Sequence, residues 1–448
     1  MSAHRRLLYV LTYCMHTFVY ILIQKKDLRE TIKTNAQQHL DTASRNIVKE
    51  AADQAPLEAI DDREYDSFHR LVRRVRELPE RLTVDCASVS NIAISGVYAM
   101  TKFSGGSRFL AWDSRVDDPN LPVIFLFLSD QGIRRLRTYP NWCGDGQFTF
   151  VPKNLMQLYT VGVLVETHFI PCAFAFMQNR TLHSYQRLFR RISTLTSSFQ
   201  PASFMSDLEL SAQKAVLSVY SNNTTRVQLE SCLFHLSQAV FRKLQKHGYT
   251  PLYYDNDKSF KKLVRSLPCL AFLPPDLVVP SFFELSNEIT SLPPRFTRAA
   301  CHMFFYFSET YVIRFNASGS PAPPRFPPEI WNCHSLVLSD RPRTNNAIEG
   351  WHNSFKSHFG GGANISFSKI IRALQKEESA ASLILRGRES DPSRPLFAPA
   401  RHKKYVIVDK RIKTLVTRFN PNQDVISHLY ALQKFLSKAS PLINGPDD

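Results

Sequence analysis

At 448 residues, with 44% hydrophobic, 12% aromatic and only 21% charged side chains, the chain has the composition of a folded protein of two or three domains, which excludes a disordered or fibrous molecule. Lys and Arg number 56 against 39 Asp and Glu, and the resulting net charge of +17 favours a polyanionic partner such as nucleic acid over an acidic small substrate. A membrane surface would suit that charge too, and eight scattered cysteines with no short regular spacing indicate reduced thiols in a cytosolic or nuclear compartment.

Residues 7–23 are apolar, preceded by His4-Arg5-Arg6 and followed by Lys25-Lys26. Thr12, His16 and Thr17 interrupt the run, which is short for a membrane span, and basic residues on both sides give it no orientation. A buried strand or helix is therefore expected over a membrane anchor. Residues 26–82 are helical and charged. One helix starts near Asp41–Ser44 and faces inward with Ile47, Val48 and Ala51; a second, over 64–78, buries Phe68, Leu71, Val72 and Val75 and turns Arg70, Arg73, Arg74 and Arg76 outward. Such a pair suits a helix-turn-helix-sized DNA-binding unit, and equally a solvated face on an accessory bundle.

Two strand candidates, 108–112 and 121–129, precede a meander of three strands over 141–177. Its first strand is expected to open with Asp145-Gly146 and to continue through Phe148 and Phe150, which alternate with Gln147 and Thr149. Asp145 is then a carboxylate at a sheet position that metal could reach, or simply part of a turn. A crossover helix over 182–192 leads to a short strand at 202–205, which runs directly into Asp207 and another helix. Asp207 stands where a ribonuclease H-like fold presents a second carboxylate, though an N-cap role for it or for Ser206 serves as well. At the next strand-to-helix joint Cys232 and His235 stand three apart. Two ligands do not make a zinc site, even with Cys301-His302 and Cys333-His334 elsewhere, so zinc is not expected and the pair is expected to pack behind the site.

Residues 249–330, rich in Pro and Phe, read as an α-helical insertion with helices over 259–267, 280–290 and 294–306. In the helix that follows, Ile348, Trp351, Phe355 and Phe359 form a buried stripe, while Glu349, His352, Asn353 and Lys356 share a polar face. Asn346 and Glu349 are also spaced as a capping box. The segment 401–418 interleaves Arg and Lys with Tyr405 and apolar positions, as a DNA-backbone contact would.

The words around these acids resemble those of the Mutator-like (MULE) transposases of the DDE, ribonuclease H-like superfamily. WCGDGQFTFVPKNLMQLYTV is similar to the first-aspartate strand and meander, CLFHLSQAVFRKLQ to the Cys-x-x-His segment, and RTNNAIEGWHNSF to the third-carboxylate helix. The resemblance runs from about residue 57 to 436. Two departures accompany it: no FLYWCH-type zinc finger precedes residue 63, and Asp-Gly-Gln-Phe stands for the usual Asp-Gly-Thr-Phe.

The resemblance implies an α/β, ribonuclease H-like mixed sheet with an α-helical insertion and a helical N-terminal region. It implies a catalytic core in two parts, 87–248 and 331–380, around the insertion 249–330, flanked by 1–25, 26–82 and a basic 381–448. Asp145, Asp207 and Glu349 become the catalytic and metal-binding triad, for two Mg²⁺ or Mn²⁺ ions, with Cys232 and His235 structural. Double-stranded DNA, as transposon ends and target, becomes the partner in a homo-oligomeric, nuclear complex. Candidate DNA contacts are Arg70, Arg73, Arg74, Arg76, Arg341, Arg343, Lys356, Lys403, Lys404, Arg411 and Lys413. The other reading is a domesticated DNA-binding or chromatin protein that keeps the fold without cutting.

Overall fold

A computed structural model describes residues 3–39, 44–55, 62–86, 88–101, 106–222, 224–359, 365–388, 391–397, 403–421 and 424–439. The chain forms two compact units, Met1–Ala99 and Met100–Asp448. Helices of eight residues or more are labelled α1 to α14, and the strands of the main sheet β1 to β7.

The first unit is built on α1 (Ala3–Gln38), α2 (Ser44–Asp53) and α3 (Asp62–Val84). Leu28, Ile32 and Ala36, one helical turn apart on α1, bury against Ile47, Val48 and Ala51 of α2 and Phe68 and Val72 of α3. The sequence suggests two short helices here; the third is needed because a pair this small leaves one apolar stripe uncovered. Residues 7–23 lie within α1, and their side chains up to residue 18 are outside the described set. No helix among the described residues is long and apolar enough to cross a membrane. Arg70, Arg73 and Arg74 are exposed on α3; Arg76 is on the same helix, its side chain outside the described residues.

In the second unit seven strands form one mixed sheet in the order β1-β2-β5-β4-β3-β6-β7. These are β1 (Leu110–Asp113), β2 (Ile124–Leu128), β3 (Asn141–Gln147), β4 (Gln157–Val165), β5 (His168–Met177), β6 (Ser203–Ser206) and β7 (Gln228–Ser231). Strands β3, β4 and β5 make the antiparallel meander, and β6 and β7 then add in parallel beside β3. Parallel addition requires crossovers, which α5 (Leu182–Leu195) and α6 (Leu210–Tyr220) provide. This is the ribonuclease H-like arrangement. The candidates at 108–112 and 121–129 become β1 and β2 and extend the same sheet beyond β5. Between β2 and β3 lies α4 (Asp130–Thr138), which no sequence signal above singles out.

One face of the sheet packs on α4, α5 and α6 through Trp142, Tyr159, Tyr185, Phe189, Phe204 and Val216. The other receives α7 (Leu233–Lys246) and the insertion, whose principal helices are α8 (Ser259–Ser266), α9 (Val278–Asn287) and α10 (Pro294–Phe307). After it come α11 (Asn346–Ser357), α12 (Phe367–Leu385), α13 (Lys403–Thr417) and α14 (Val425–Ala439). Val408, Ile412, Val416, Leu429 and Leu432 of the last two helices enter the same cluster as Phe260, Phe282 and Phe296 of the insertion. The basic C-terminal segment is thus amphipathic, with its apolar stripe buried.

Two local expectations change. Strand β3 ends at Gln147, so Asp145 lies inside it, paired with Thr160, and does not open it. Pairing starts earlier because Trp142 and Cys143 are buried residues with partners on β4, whereas Phe148 is 52% exposed. Neither Asp207 nor Ser206 caps a helix: α6 starts three residues after Asp207, with Glu209 in the cap position and no side-chain cap bond.

Candidate active site

Three acids, one from each of β3, the end of β6 and α11, converge at one end of the sheet. Asp145 sits between two glycines on β3, and its Oδ1 accepts from the Gly146 backbone N–H at 2.8 Å. Parallel pairing of β3 with β6 brings Asp207, the residue after Ser206, to the adjacent strand end. Glu349 comes from the first turn of α11. Its carboxylate makes no capping box; the helix starts after Asn345 with no side-chain cap bond.

Two histidines stitch the acids together. His352, three residues after Glu349 on α11, places Nδ1 3.4 Å from Asp145 Oδ2. His235 stands between the other two, with Nδ1 2.8 Å from Asp207 Oδ1 and Nε2 3.5 Å from Glu349 Oε1. The 2.8 Å contact is close, but the ring N–H is not aimed at the oxygen, so it is an electrostatic contact rather than a formed hydrogen bond. Asn345 donates from Nδ2 to Asp207 Oδ1 at 2.7 Å, and its backbone N–H points at Cys232 Sγ at 3.3 Å. Cys232 is fully buried at the start of α7 and so anchors the turn carrying Asn345, while His235 lies within the site and not behind it.

Burial first, then the Asp207 charge, raise the Asp145 carboxyl above its usual range against the opposing effect of His352. Glu349 is likewise raised by burial and by Asp145 and Asp207, with His235 opposing. Glu209, two residues past Asp207, is raised by burial while Tyr185 and Arg180 oppose. Burial works against charge on His235, yet Asp207 and Cys232 outweigh it and push its pKa up to about 11. This is a cluster of acids under mutual repulsion, partly compensated by imidazoles, and an external cation is the usual relief for such a cluster.

Carboxylate oxygens are hard donors suited to Mg²⁺ or Mn²⁺, and the buried Asn345 Oδ1, which has no hydrogen-bond partner, adds a neutral one beside Asp207. Among the described residues no three His, Cys, Asp or Glu side chains form a ready-made metal cage. Asp145 and Asp207 line a groove of about 840 Å³ together with His235, while Glu349, 3.5 Å from His235 Nε2, lies outside that lining.

The remaining candidates are dispersed. Arg341 is committed to the 1%-exposed Glu230, 2.8 Å away, and also donates to Ser203. Arg343 pairs with Asp409 at 2.6 Å, and Lys413 pairs with Asp340. Lys356, Lys403, Lys404 and Arg411 are exposed. Cys301 is exposed, Cys333 is buried in the insertion core, and His302 contacts Tyr249. Sequence reasoning missed Asn345 and the roles of His235 and His352. The one available signal was the shared polar face of Glu349 and His352 on α11.

Fold and site together define a ribonuclease H-like domain with one carboxylate within β3, a second just past the end of the adjacent β6 and a third on a following helix. Residues 142–239 match the model of the MULE transposase domain family, so that segment is similar to that domain. The matched stretch holds Asp145, Asp207, Cys232 and His235 but stops short of Glu349, whose membership of the site rests on geometry. No curated protein matches the chain. Among solved structures, the Drosophila P element transposase strand transfer complex aligns at 11% identity over 71% of this chain and 83% of that chain, with a TM-score of 0.22, too low to carry a conclusion about fold or chemistry.

Proposed function

We propose that the chain is a DNA transposase that cleaves phosphodiester bonds and transfers strands with the help of Mg²⁺ or Mn²⁺. The observation that supports this is the convergence of Asp145, Asp207 and Glu349, acids up to 204 positions apart in sequence, with burial and mutual repulsion raising two of them. Asp145, Asp207 and Glu349 would hold the cations. When bound, such ions activate a water or 3′-hydroxyl and stabilise the leaving oxygen of an in-line displacement. Asn345 orients the Asp207 carboxylate, His352 holds Asp145 from the α11 side, and His235 fixes the spacing of Asp207 and Glu349. Double-stranded DNA as partner, a multimeric complex on paired ends and a nuclear location belong to the same reading.

A second reading, a DNA-binding protein that no longer cuts, draws on His235 standing between two of the acids. One experiment separates them. Purified chain is incubated with DNA carrying candidate terminal repeats, in Mg²⁺, Mn²⁺ or EDTA, alongside Asp145→Asn, Asp207→Asn and Glu349→Gln. The catalytic reading expects metal-dependent nicking and joined products from the wild type alone, with low-salt DNA affinity nearly unchanged in the variants. Binding without products leaves the second reading, and cleavage retained by any variant removes that residue from the site.

A further inference from the structure

The cations around the open side of the site are not those that stand out in the sequence. The groove that exposes Asp145 and Asp207 is walled by Arg242, Lys243 and Lys246 of α7, Arg180 after β5, and Arg325 of the insertion, with Phe148 and Tyr306 among its aromatic members. Lys243 rests 4.9 Å from the centre of the Tyr306 ring. Arg180, Arg242, Lys246 and Arg325 are exposed and in no ion pair with a described carboxylate, in contrast to Arg341, Arg343 and Lys413. Arg242 and Lys246 follow His235 at helical spacing on α7. One helix therefore runs about 16 Å from His235 beside the acids to Lys246, with its cations gathered in the outer part at Arg242, Lys243 and Lys246.

Phe148 adds a second, independent observation. It stands three residues beyond Asp145 and is 52% exposed, whereas Phe150 is 5% exposed and stacks on Phe359. The guanidinium of Arg180 lies 4.9 Å from the centre of the Phe148 ring. An open aromatic face joined to a cation, at the edge of a basic groove, is a stacking step that any base fits. Only an unpaired base can use it, because bases inside a duplex are already stacked on their neighbours.

We propose that this groove takes one unpaired strand of the substrate, with Arg242, Lys246 and Arg325 on its phosphates and a base stacked on the Phe148–Arg180 pair beside the bond presented to the acids. The inference rests on the phosphodiester reading of that site, and its test is a binding measurement in EDTA so that the two can fail separately. Full-length protein is titrated with a fluorescein-labelled oligo-dT strand and with the oligo-dA·oligo-dT duplex across a salt series. Arg242→Ala with Lys246→Ala should weaken strand binding and lower its log–log salt slope by about 0.7 per lost contact. Phe148→Leu, which keeps apolar volume and loses the ring, should weaken the strand about 5- to 150-fold while leaving the duplex unchanged, and Phe148→Trp should restore it. Equal losses on strand and duplex, an unchanged strand affinity in Phe148→Leu, or an unchanged slope in the double variant overturns the proposal. A chain that binds as stated and never cleaves keeps this inference and loses the catalytic reading.

Discussion

Asp145 is held in place by what its neighbours lack. A Cβ on Gly144 would lie 2.7 Å from Phe204 Cζ and 2.8 Å from Tyr159 Oη, and both rings are buried in the sheet core. Neither ring can retreat without moving Tyr185 or Phe189, so Gly144→Ala should destabilise by about 1–3 kcal/mol, read as a lower Tm, and displace Asp145 enough to lower any cleavage. An unchanged Tm would mean that β3 has slack beside the site. A Cβ on Gly146 would meet the amide oxygen of Gln157 at 2.7 Å and the half-exposed Phe148 ring at 3.4 Å, and because the ring can turn outward Gly146→Ala should cost less. At this scale the sequence was informative about identity and poor about contact. Asp145, Asp207 and Glu349 could be picked out by the words around them, but Asp207 and Glu349 each had a capping explanation that only the cap geometry removes. His235 reads as a packing residue beside Cys232 because a Cys three residues away is visible in one dimension, and two acids from other elements are not.

Among elements, the strands and crossover helices were legible because burial on one or both faces writes a periodic pattern. The α4 helix escaped because its nine residues include four with long polar stems, among them Arg134, Arg135 and Arg137. One of these is buried. Arg135 is 3% exposed and donates to Glu378 Oε2 at 2.6 Å, while Ser129, the α4 N-cap, donates to Glu378 Oε1 at 2.6 Å. The pair ties α4 to α12, and the residue before Glu378, Glu377, accepts from Trp351 Nε1 on α11 and meets His358 Nε2. Glu378→Ala leaves an uncompensated guanidinium in the core, so a loss of about 3–5 kcal/mol is expected, measured by urea unfolding. Since α12 braces the helix that carries Glu349, the same variant should lose activity at temperatures where it is still folded. Glu378→Leu should recover part of the stability only when combined with Arg135→Met, because the pair is costly to break and cheap to replace whole. Full additivity of those two substitutions would show that the ion pair is not coupled.

Over the whole molecule, the boundary the sequence draws before residue 381 does not match the packing. Composition there changes to basic, and the stretch 401–418 reads as a contact for the DNA backbone. The structure gives it two jobs on two faces: Lys403, Lys404 and Arg411 stay exposed, while Val408, Ile412, Val416, Leu429 and Leu432 close the core of an insertion that ends more than seventy residues earlier. Arg265 of α8 also donates to the Gln433 carbonyl at 2.9 Å, and Tyr430 donates to Glu288 Oε2 at 3.1 Å. A stripe of this kind is amphipathic in sequence, yet nothing local says which surface it covers. Removing residues 401–448 should therefore unfold more than it deletes. Exposing the partners of five buried aliphatic side chains, each contributing about 1.5–3 kcal/mol, forfeits on the order of 10 kcal/mol, comparable to the whole stability of a domain. The truncated chain is expected to aggregate or to bind a hydrophobic dye at the temperature where the full chain is compact. Replacing only Lys403, Lys404 and Arg411 with Gln should leave Tm within about a degree, since exposed substitutions away from packed features are near neutral, and should lower DNA affinity at low salt. A truncated chain that melts with the full-length Tm would show that α13 and α14 are dispensable to the insertion, and would return the C-terminal region to the purely electrostatic role its composition suggests.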